Sequence, residues 1–282
     1  RVVQGLSYAL AAAGHHVTII TTGSQGWLNS DLNIKFENGG ILALVDAPRS
    51  ELYKNVLLLI SDAEVVHLHN IWDPLEALIA YHCQRLKIPY VFTPHGSLNA
   101  WCMKQKYLKK ALYLYLFGRV MLRNAGALHL LNSQELNDVR ELKLCGHYFI
   151  LPNGLHVEEW EALPELGTYR KINPTLKDGL IILFLARLHH KKGPDLLLKA
   201  FTSLSSEFPD ARLVLAGPDY GMAEMLNNFI EIYGLQKQIF LPGMVAGEER
   251  NALLQDADIF ALTSYQEGHP MGVIEAAYLG KP

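Results

Sequence analysis

The 282-residue sequence has no excess of positive charge: 25 Lys and Arg stand against 28 Asp and Glu, a formal net charge of −3. A nucleic-acid binder usually carries a basic excess, so that class is disfavoured. No apolar run approaches the roughly 20 residues needed to span a bilayer. The three cysteines, Cys83, Cys102 and Cys145, are odd in number and lack CxxC spacing. They suit a reducing compartment better than a disulfide framework and offer no zinc site. GxGxxG, GxxxxGK[ST] and the Gly-x-Ser-x-Gly elbow are all missing, which leaves a Rossmann dinucleotide site, a P-loop and an α/β-hydrolase nucleophile without support. No secretory leader is expected, because Arg1-Val2-Val3-Gln4 runs straight into an amphipathic helical pattern. Nor is there an initiator Met, and the chain stops at Gly280-Lys281-Pro282, where another strand is expected to begin. It therefore reads as a fragment at both ends.

What is present is a strict alternation of short β-branched runs and amphipathic stretches. Helix is expected over 1–14, strand over 16–23 and 41–45, and helix over 53–61. Strands follow at 63–69, 88–93, 127–131 and 147–151. A helix is expected over 75–86, a long basic one over 103–124, and another after an N-cap at Ser133. A helix feeding the first strand implies a strand before it, by the βαβ logic of parallel sheets. Residues 161–178 lose periodicity and gain Pro, Gly and charge, so they read as a linker. Beyond it, strands at 179–186, 211–217, 238–243 and 258–264 alternate with helices at 193–207, 221–233, 247–256 and 271–279. The expectation is an α/β protein of two doubly wound Rossmann-like domains, 1–160 and 179–282, facing across a cleft that holds the ligand.

Three stretches carry candidate chemistry. Glu267 and Glu275 stand eight positions apart, the first in the loop after an apolar strand, the second about two turns into the next helix. Open α/β sheets bind ligands at that carboxyl edge, and a helix start offers N–H groups to an anion. Arg187 and Lys192, in Ala186-Arg187-Leu188-His189-His190-Lys191-Lys192-Gly193, follow a buried strand and open a helix. A guanidinium fork, a point charge and a helix N-terminus together match a diphosphate, although a solvated basic turn has the same composition. Thr93-Pro94-His95-Gly96-Ser97 places a histidine at a strand end of the first half, where it fits a hydrogen bond to a sugar hydroxyl or a structural role. His67, His69 and Trp72 lie alongside; lining of the acceptor side stays open for them, but they read rather as packing and capping residues. Asp256-Ala257-Asp258 satisfies Asp-x-Asp, but spans a helix end and a strand start on the opposite sheet edge, so it reads as capping.

The stretch Glu267-Gly268-His269-Pro270-Met271-Gly272-Val273-Ile274-Glu275 resembles the Glu-x7-Glu motif of the glycosyltransferase 4 group, retaining enzymes of the GT-B fold. Arg187 to Gly193 is similar to that family's Arg-x4-Lys-Gly element, and His95-Gly96 to its His-Gly element; the three fall in the family's order. The resemblance implies transfer of a sugar from a nucleotide-sugar donor to an acceptor hydroxyl, in polysaccharide or glycolipid biosynthesis. It implies that Arg187 and Lys192 stabilise the departing nucleoside diphosphate, that Glu267 faces the donor sugar and that Glu275 holds the ribose. It places His95 on the sugar, the backbone of Gly268, Met271 and Gly272 on sugar hydroxyls and β-phosphate, and Met244, after Gly243, beside the base. For Gly217 both a nucleotide contact and ordinary turn chemistry stay open. No metal and no cofactor are implied, the sugar nucleotide being a substrate. In the family, the strand preceding the present chain ends in a Gly-rich loop at the acceptor site.

The implied location is cytoplasmic. The basic helix 103–124, with Lys104, Lys106, Lys109, Lys110, Arg119 and Arg123 among Tyr107, Leu108, Leu112, Tyr113 and Leu116, fits a solvated face or contact with an anionic membrane holding a lipid-linked acceptor. Two other functions remain open: a nucleotide-sugar epimerase on the same scaffold, and a non-catalytic sugar-nucleotide binding protein.

Overall fold

The computed structural model describes residues 2–22, 33–144, 146–155, 157–176 and 179–282. They form two compact units, Arg1–His156 and Val157–Pro282. In the first, α1 (Val2–Ala12) leads to β1 (His16–Thr21), β2 (Asn33–Lys35) and β3 (Ile41–Asp46), with β1 parallel and β2 antiparallel to β3. Then come α2 (Arg49–Ile60), β4 (Val66–His69), α3 (Pro74–Leu86) and β5 (Tyr90–Thr93). The unit continues with α4 (Ala100–Lys104), α5 (Tyr107–Tyr113), α6 (Arg119–Arg123), β6 (Ala127–Leu130), α7 (Ser133–Glu141) and β7 (Tyr148–Ile150). Strands β4-β5-β6-β7 pair in parallel in that order. This is the all-parallel arrangement that apolar, β-branched runs require, because helices cover both faces.

The core of this unit packs Leu68, Phe92 and Leu128 from the strands against Leu52 and Val56 of α2, Ile79 of α3 and Val139 of α7. Ile20 and Val45 pack against the same core, which ties the three-stranded sheet to it. Local chemistry fixes the turn from β4 to α3. Asp73 accepts the Leu75 N–H at 3.0 Å and Pro74 opens α3, a pairing that satisfies one orphan donor and removes another.

Three expectations are corrected here. The single helix over 103–124 is α4, α5, a π turn (Leu114–Gly118) and α6. It breaks because Lys106 turns into the left-handed region at φ 53°, ending one helix before the next starts. The cap of α7 is Asn132, not Ser133: the Asn132 side chain accepts the Glu135 N–H at 2.9 Å. Strand β2 is new, at three residues too short for a periodic signal. Gly23, the expected end of β1, and Cys145 lie outside the described residues, as do Lys177 and Asp178 of the expected linker.

In the second unit, α8 (Thr168–Ile172) precedes β8 (Ile181–Leu185), α9 (Pro194–Leu204) and β9 (Arg212–Ala216). After them come α10 (Ala223–Ile232), β10 (Ile239–Gly243), α11 (Gly247–Asp256), β11 (Ile259–Phe260) and α12 (Met271–Tyr278). The sheet runs β10-β9-β8-β11, all parallel. Phe184, Leu213 and Leu215 meet Leu198, Phe201, Leu226 and Ile230 of the covering helices. The expected linker is instead folded into this unit. Asp256 accepts the backbone N–H of Gly167 at 2.5 Å and of Arg170 at 2.9 Å. The Arg170 guanidinium bonds the carbonyls of Leu176, Gly179 and Asp256 and the Asp258 carboxylate. The Asp-x-Asp pair thus caps and anchors, though the helix it serves is α8. Strand β11 ends at Phe260, with one further bond from the Ala261 N–H to the Leu183 carbonyl at 2.8 Å, well before the expected residue 264, and 262–270 form a long loop at the carboxyl edge.

Candidate active site

Two loops at the carboxyl edge of the second sheet are laced together. The first, after β8, holds Arg187 to Gly193; the second, after β11, holds Thr263 to Pro270. The Tyr265 N–H donates to the Lys191 carbonyl at 3.0 Å and the Thr263 hydroxyl to the Gly193 carbonyl at 2.6 Å. The rings of His190 and Tyr265 lie 5.0 Å apart. Gly193 makes the approach possible: it adopts φ +64°, and a Cβ there would stand 2.2 Å from the Thr263 carbonyl oxygen.

The lacing brings Lys192 to Glu267. Lys192 Nζ lies 2.5 Å from Glu267 Oε1, and the Ser264 hydroxyl donates to the same oxygen at 2.5 Å. The two charged side chains are 18% and 22% exposed, so the pair is partly desolvated yet within reach of a ligand. Arg187, exposed, lies over the ring of Tyr220, which follows β9, at 5.3 Å. Arg187 and Lys192 flank His189, whose pKa falls through desolvation and then the nearby positive charges of Arg187, His190, Lys191 and Lys192. Helix α12 starts at the same edge: a Cβ on Gly272 would meet Phe260 Cζ at 3.0 Å and the Leu185 carbonyl at 3.3 Å. The first intrahelical bonds of α12 are donated by Val273 and Ile274 to Pro270, so the amides of Met271 and Gly272 precede the helical ladder. This arrangement of two cations, a carboxylate and a helix start can hold a doubly charged anion beside a polar neutral group.

Glu275 is placed differently. It is buried at 3% exposure within α12 and pairs with Arg250 of α11, itself 8% exposed. The Arg250 guanidinium lies over the Trp160 ring at 5.0 Å. Arg250, Trp160, Ser264 and Tyr220 were not expected from the sequence; only Ser264, three positions before Glu267, carried a usable signal. Gly217 takes φ +146°, and a Cβ on it would stand 1.9 Å from the Ala186 carbonyl. Close packing of the β8 and β9 ends therefore suffices to explain a glycine there. Gly243, at φ +80°, has open space where a Cβ would go, and Met244 after it is 50% exposed.

In the first unit the parallel register sets His69 beside Thr93 and brings four histidines to one edge. His69 Nδ1 lies 2.9 Å from His95 Nε2, and His67 Nε2 lies 2.7 Å from the Thr93 hydroxyl. The rings of His67 and His69 are 4.1 Å apart, those of His67 and His129 5.7 Å. Burial, followed by the neighbouring histidines, holds His67 and His95 down to about 4 and His69 lower still. All three are neutral at pH 7. His95 itself sits at φ +51°, a left-handed conformation that is costly for a residue with a Cβ. The turn is held from outside: Trp72 Nε1 donates to the Ser97 carbonyl at 3.3 Å. Buried Glu135 faces the Gly96 amide and accepts the Leu131 N–H at 2.7 Å. His67, His69 and Trp72 thus do more than pack. Among the described residues, no group of three or more His, Cys, Asp or Glu has the arrangement of a metal site.

Comparison with known proteins accounts for both halves. Mannosylfructose-phosphate synthase of Agrobacterium fabrum is 29% identical over 222 residues, 71% of this chain and 48% of that protein. GDP-mannose:cellobiosyl-diphosphopolyprenol alpha-mannosyltransferase of Xanthomonas oryzae pv. oryzae is 27% identical over 241 residues, 82% of this chain and 58% of that one. The chain thus spans about half the length of the curated relatives it matches. Sucrose-phosphate synthase from Thermosynechococcus elongatus superposes with a TM-score of 0.71 at 20% identity, covering 99% of this chain and 73% of that one. Anabaena HepE in complex with UDP-glucose gives 0.67 at 17%, covering 87% and 67%. These structures share the GT-B fold. The family described as "Glycosyl transferases group 1" matches residues 167–282. The family described as "Glycosyl transferase 4-like domain" matches residues 1–154, more than half of the chain, which therefore belongs to the glycosyltransferase 4-like family.

Proposed function

We propose that the protein is a retaining glycosyltransferase that moves a sugar from a nucleotide-diphosphate sugar to an acceptor hydroxyl in polysaccharide or glycolipid biosynthesis. The observation that carries the reading is the convergence of Lys192, Glu267 and Ser264 beside the Arg187 loop and the start of α12. Arg187 and Lys192 offset the negative charge that grows on the leaving diphosphate, an electrostatic contribution larger in the transition state than in the bound donor. With side-chain cations in that role, the reading needs neither a metal nor a cofactor. As the diphosphate draws Lys192 away, Glu267 keeps Ser264 and turns its carboxylate to the sugar, where it orients a hydroxyl and supports oxocarbenium character at the anomeric carbon. The amides of Gly268, Met271 and Gly272 serve hydroxyls and the β-phosphate. Glu275 takes the ribose, sharing its carboxylate with Arg250, and Met244 lies by the base. His95 contributes a neutral imidazole to the sugar.

Support for a lipid-linked acceptor comes from the surface of α5, the π turn and α6. Leu108 is 80% and Tyr115 75% exposed, and Leu112, Phe117 and Val120 all exceed half. Lys104, Lys106, Lys109, Arg119 and Arg123 of the same segment are exposed as well. A segment that exposes apolar side chains and cations together suits the headgroup region of an anionic membrane, so it is assigned to peripheral contact on the cytoplasmic face. No helix among the described residues is long and apolar enough to cross a membrane. Cys83 and Cys102 are both unbridged, which fits a reducing compartment.

The deciding experiment incubates the protein with UDP-, GDP- and ADP-sugars, with and without polyprenyl-diphosphate and diacylglycerol acceptors. Transfer with retained anomeric configuration is the expected product. A free sugar nucleotide isomerised without acceptor identifies an epimerase, and binding without turnover identifies a non-catalytic binder.

A further inference from the structure

His95 occupies a turn that costs free energy to make, and buried groups that the proposed chemistry does not use surround it. Two successive residues, His95 at φ 51° and Gly96 at φ 68°, lie in the left-handed region, which suits glycine and strains histidine. The turn persists because its neighbours tie it down. The Ser97 amide and hydroxyl both donate to the Pro94 carbonyl, and Trp72 donates to the Ser97 carbonyl. The side-chain amide of Asn99, 5% exposed, donates to the Gly96 carbonyl. That leaves the Gly96 N–H, in a buried residue, and the group it faces is the carboxylate of Glu135.

Glu135, 3% exposed, is the third residue of α7. In a capping box a glutamate there serves the amide of the cap residue. Here its Oε2 accepts the N–H of Leu131, one residue earlier, at 2.7 Å. Oε1 is buried with no donor at full hydrogen-bonding distance, and among the described residues no other acceptor takes the Gly96 N–H. Gly96 and Glu135 line one interior gap with no room for a water, so each of these buried groups has the other as its complement. Burial pushes the Glu135 carboxyl up, and the Leu131 and Gly96 amides act against that shift. A buried carboxylate is a costly cap where a neutral side chain would serve, and its place here points to the turn beside it. We infer that Glu135 is a positioning residue for His95: through the amides of Leu131 and Gly96 its carboxylate ties the end of β6 to the turn after β5, and so keeps His95 in the left-handed conformation that presents its ring. The use of that ring rests on the proposed contact of His95 with the sugar; the bracing of the turn does not.

The test compares the parent, Glu135→Gln and Glu135→Leu, each with and without His95→Ala. Gln keeps the shape but offers one acceptor and one donor, so it can serve Leu131 only by turning an N–H towards Gly96. Two properties are measured: the Cα and Cβ chemical shifts of His95 in the ligand-free protein, which report its backbone conformation, and kcat and KM for transfer. Both variants are expected to move the His95 shifts away from their left-handed values. They should lower kcat roughly tenfold at unchanged KM, the effect of one lost hydrogen bond. In the His95→Ala background that loss should vanish, which a merely structural role would not produce. His95 shifts in Glu135→Gln that match the parent overturn the inference, and so does an equal fall in kcat with and without His95. Hydrogen exchange in the parent decides it even where a variant fails to fold: the Gly96 amide should be protected, and free exchange with solvent overturns the inference. If His95→Ala transfers sugar as fast as the parent, the assignment of His95 to the sugar fails, while the shifts and the exchange still decide the bracing.

Discussion

The loops of the second unit gather charge where it stays charged, and the histidine edge of the first gathers titratable groups where they stay neutral. Lys192 and Glu267 are about a fifth exposed and satisfy one another; a ligand with a diphosphate and a hydroxyl can replace each partner in turn. His67, His69 and His95 are buried enough to lose their charge, and they offer only hydrogen-bond direction. Both sit at the carboxyl edge of parallel strands, so the fold supplies the position and local burial supplies the chemistry.

The largest expected effect concerns a pair that resembles neither region. Arg250→Ala takes the guanidinium away from the buried Glu275 carboxylate, and should lower stability by about 3–5 kcal/mol. Chemical denaturation of that variant beside Arg250→Ala with Glu275→Gln checks it. Recovery in the double variant is expected, and equal stability of the parent and Arg250→Ala rules the account out. Next, Glu267→Gln and Lys192→Ala should each slow transfer roughly 10²- to 10³-fold. Their stability should stay within about 1 kcal/mol of the parent, as expected of a solvent-accessible pair. A variant that is merely unstable would blur the contrast between the regions, so thermal melts accompany the kinetics. Ser264→Ala removes one hydrogen bond to Glu267 Oε1 and should cost about tenfold in kcat. A rise in KM with kcat unchanged would separate Ser264 from the chemistry.

The smallest effect is on pH dependence. His67 and His95 have folded pKa values near 4 against an ordinary 6.5, so the unfolded chain binds more protons between those limits. The stability they contribute is fully present above pH 6.5 and is lost as pH falls towards 4. Glu76, raised to about 7 chiefly by burial, acts in the opposite sense across much of the same window. The difference between the parent and His67→Gln isolates the histidine contribution: the gap in unfolding free energy should narrow from pH 7 to pH 4. A constant gap would mean that His67 is not held neutral by the fold.

How much of this the sequence revealed depended on the range of the interaction. Strands such as Ile181–Leu185 were legible because their apolar runs are local, and Lys192 because a basic turn follows directly. The closing of Gly193 on Thr263, the Ser264 bond and the burial of Glu275 against Arg250 join segments far apart in the chain, and no local pattern encodes them. Segment 161–178 looked like a linker because α8 is one turn long and is held by Asp256 and Asp258, nearly ninety residues on. His67 and His69 read as packing because their partner, Thr93-Pro94-His95, is reached only through the register of β4 on β5. The break at Lys106 was hidden for another reason: lysine does not advertise a left-handed turn as glycine does.

The most direct test of the central claim is calorimetric titration of UDP, GDP and ADP into the parent and Lys192→Ala. At least one of the three is predicted to bind the parent, and Lys192→Ala to weaken that binding roughly tenfold or more, as loss of a charge-assisted contact to phosphate should. Equal affinity in the two proteins, or no binding of any nucleoside diphosphate to the parent, would contradict it.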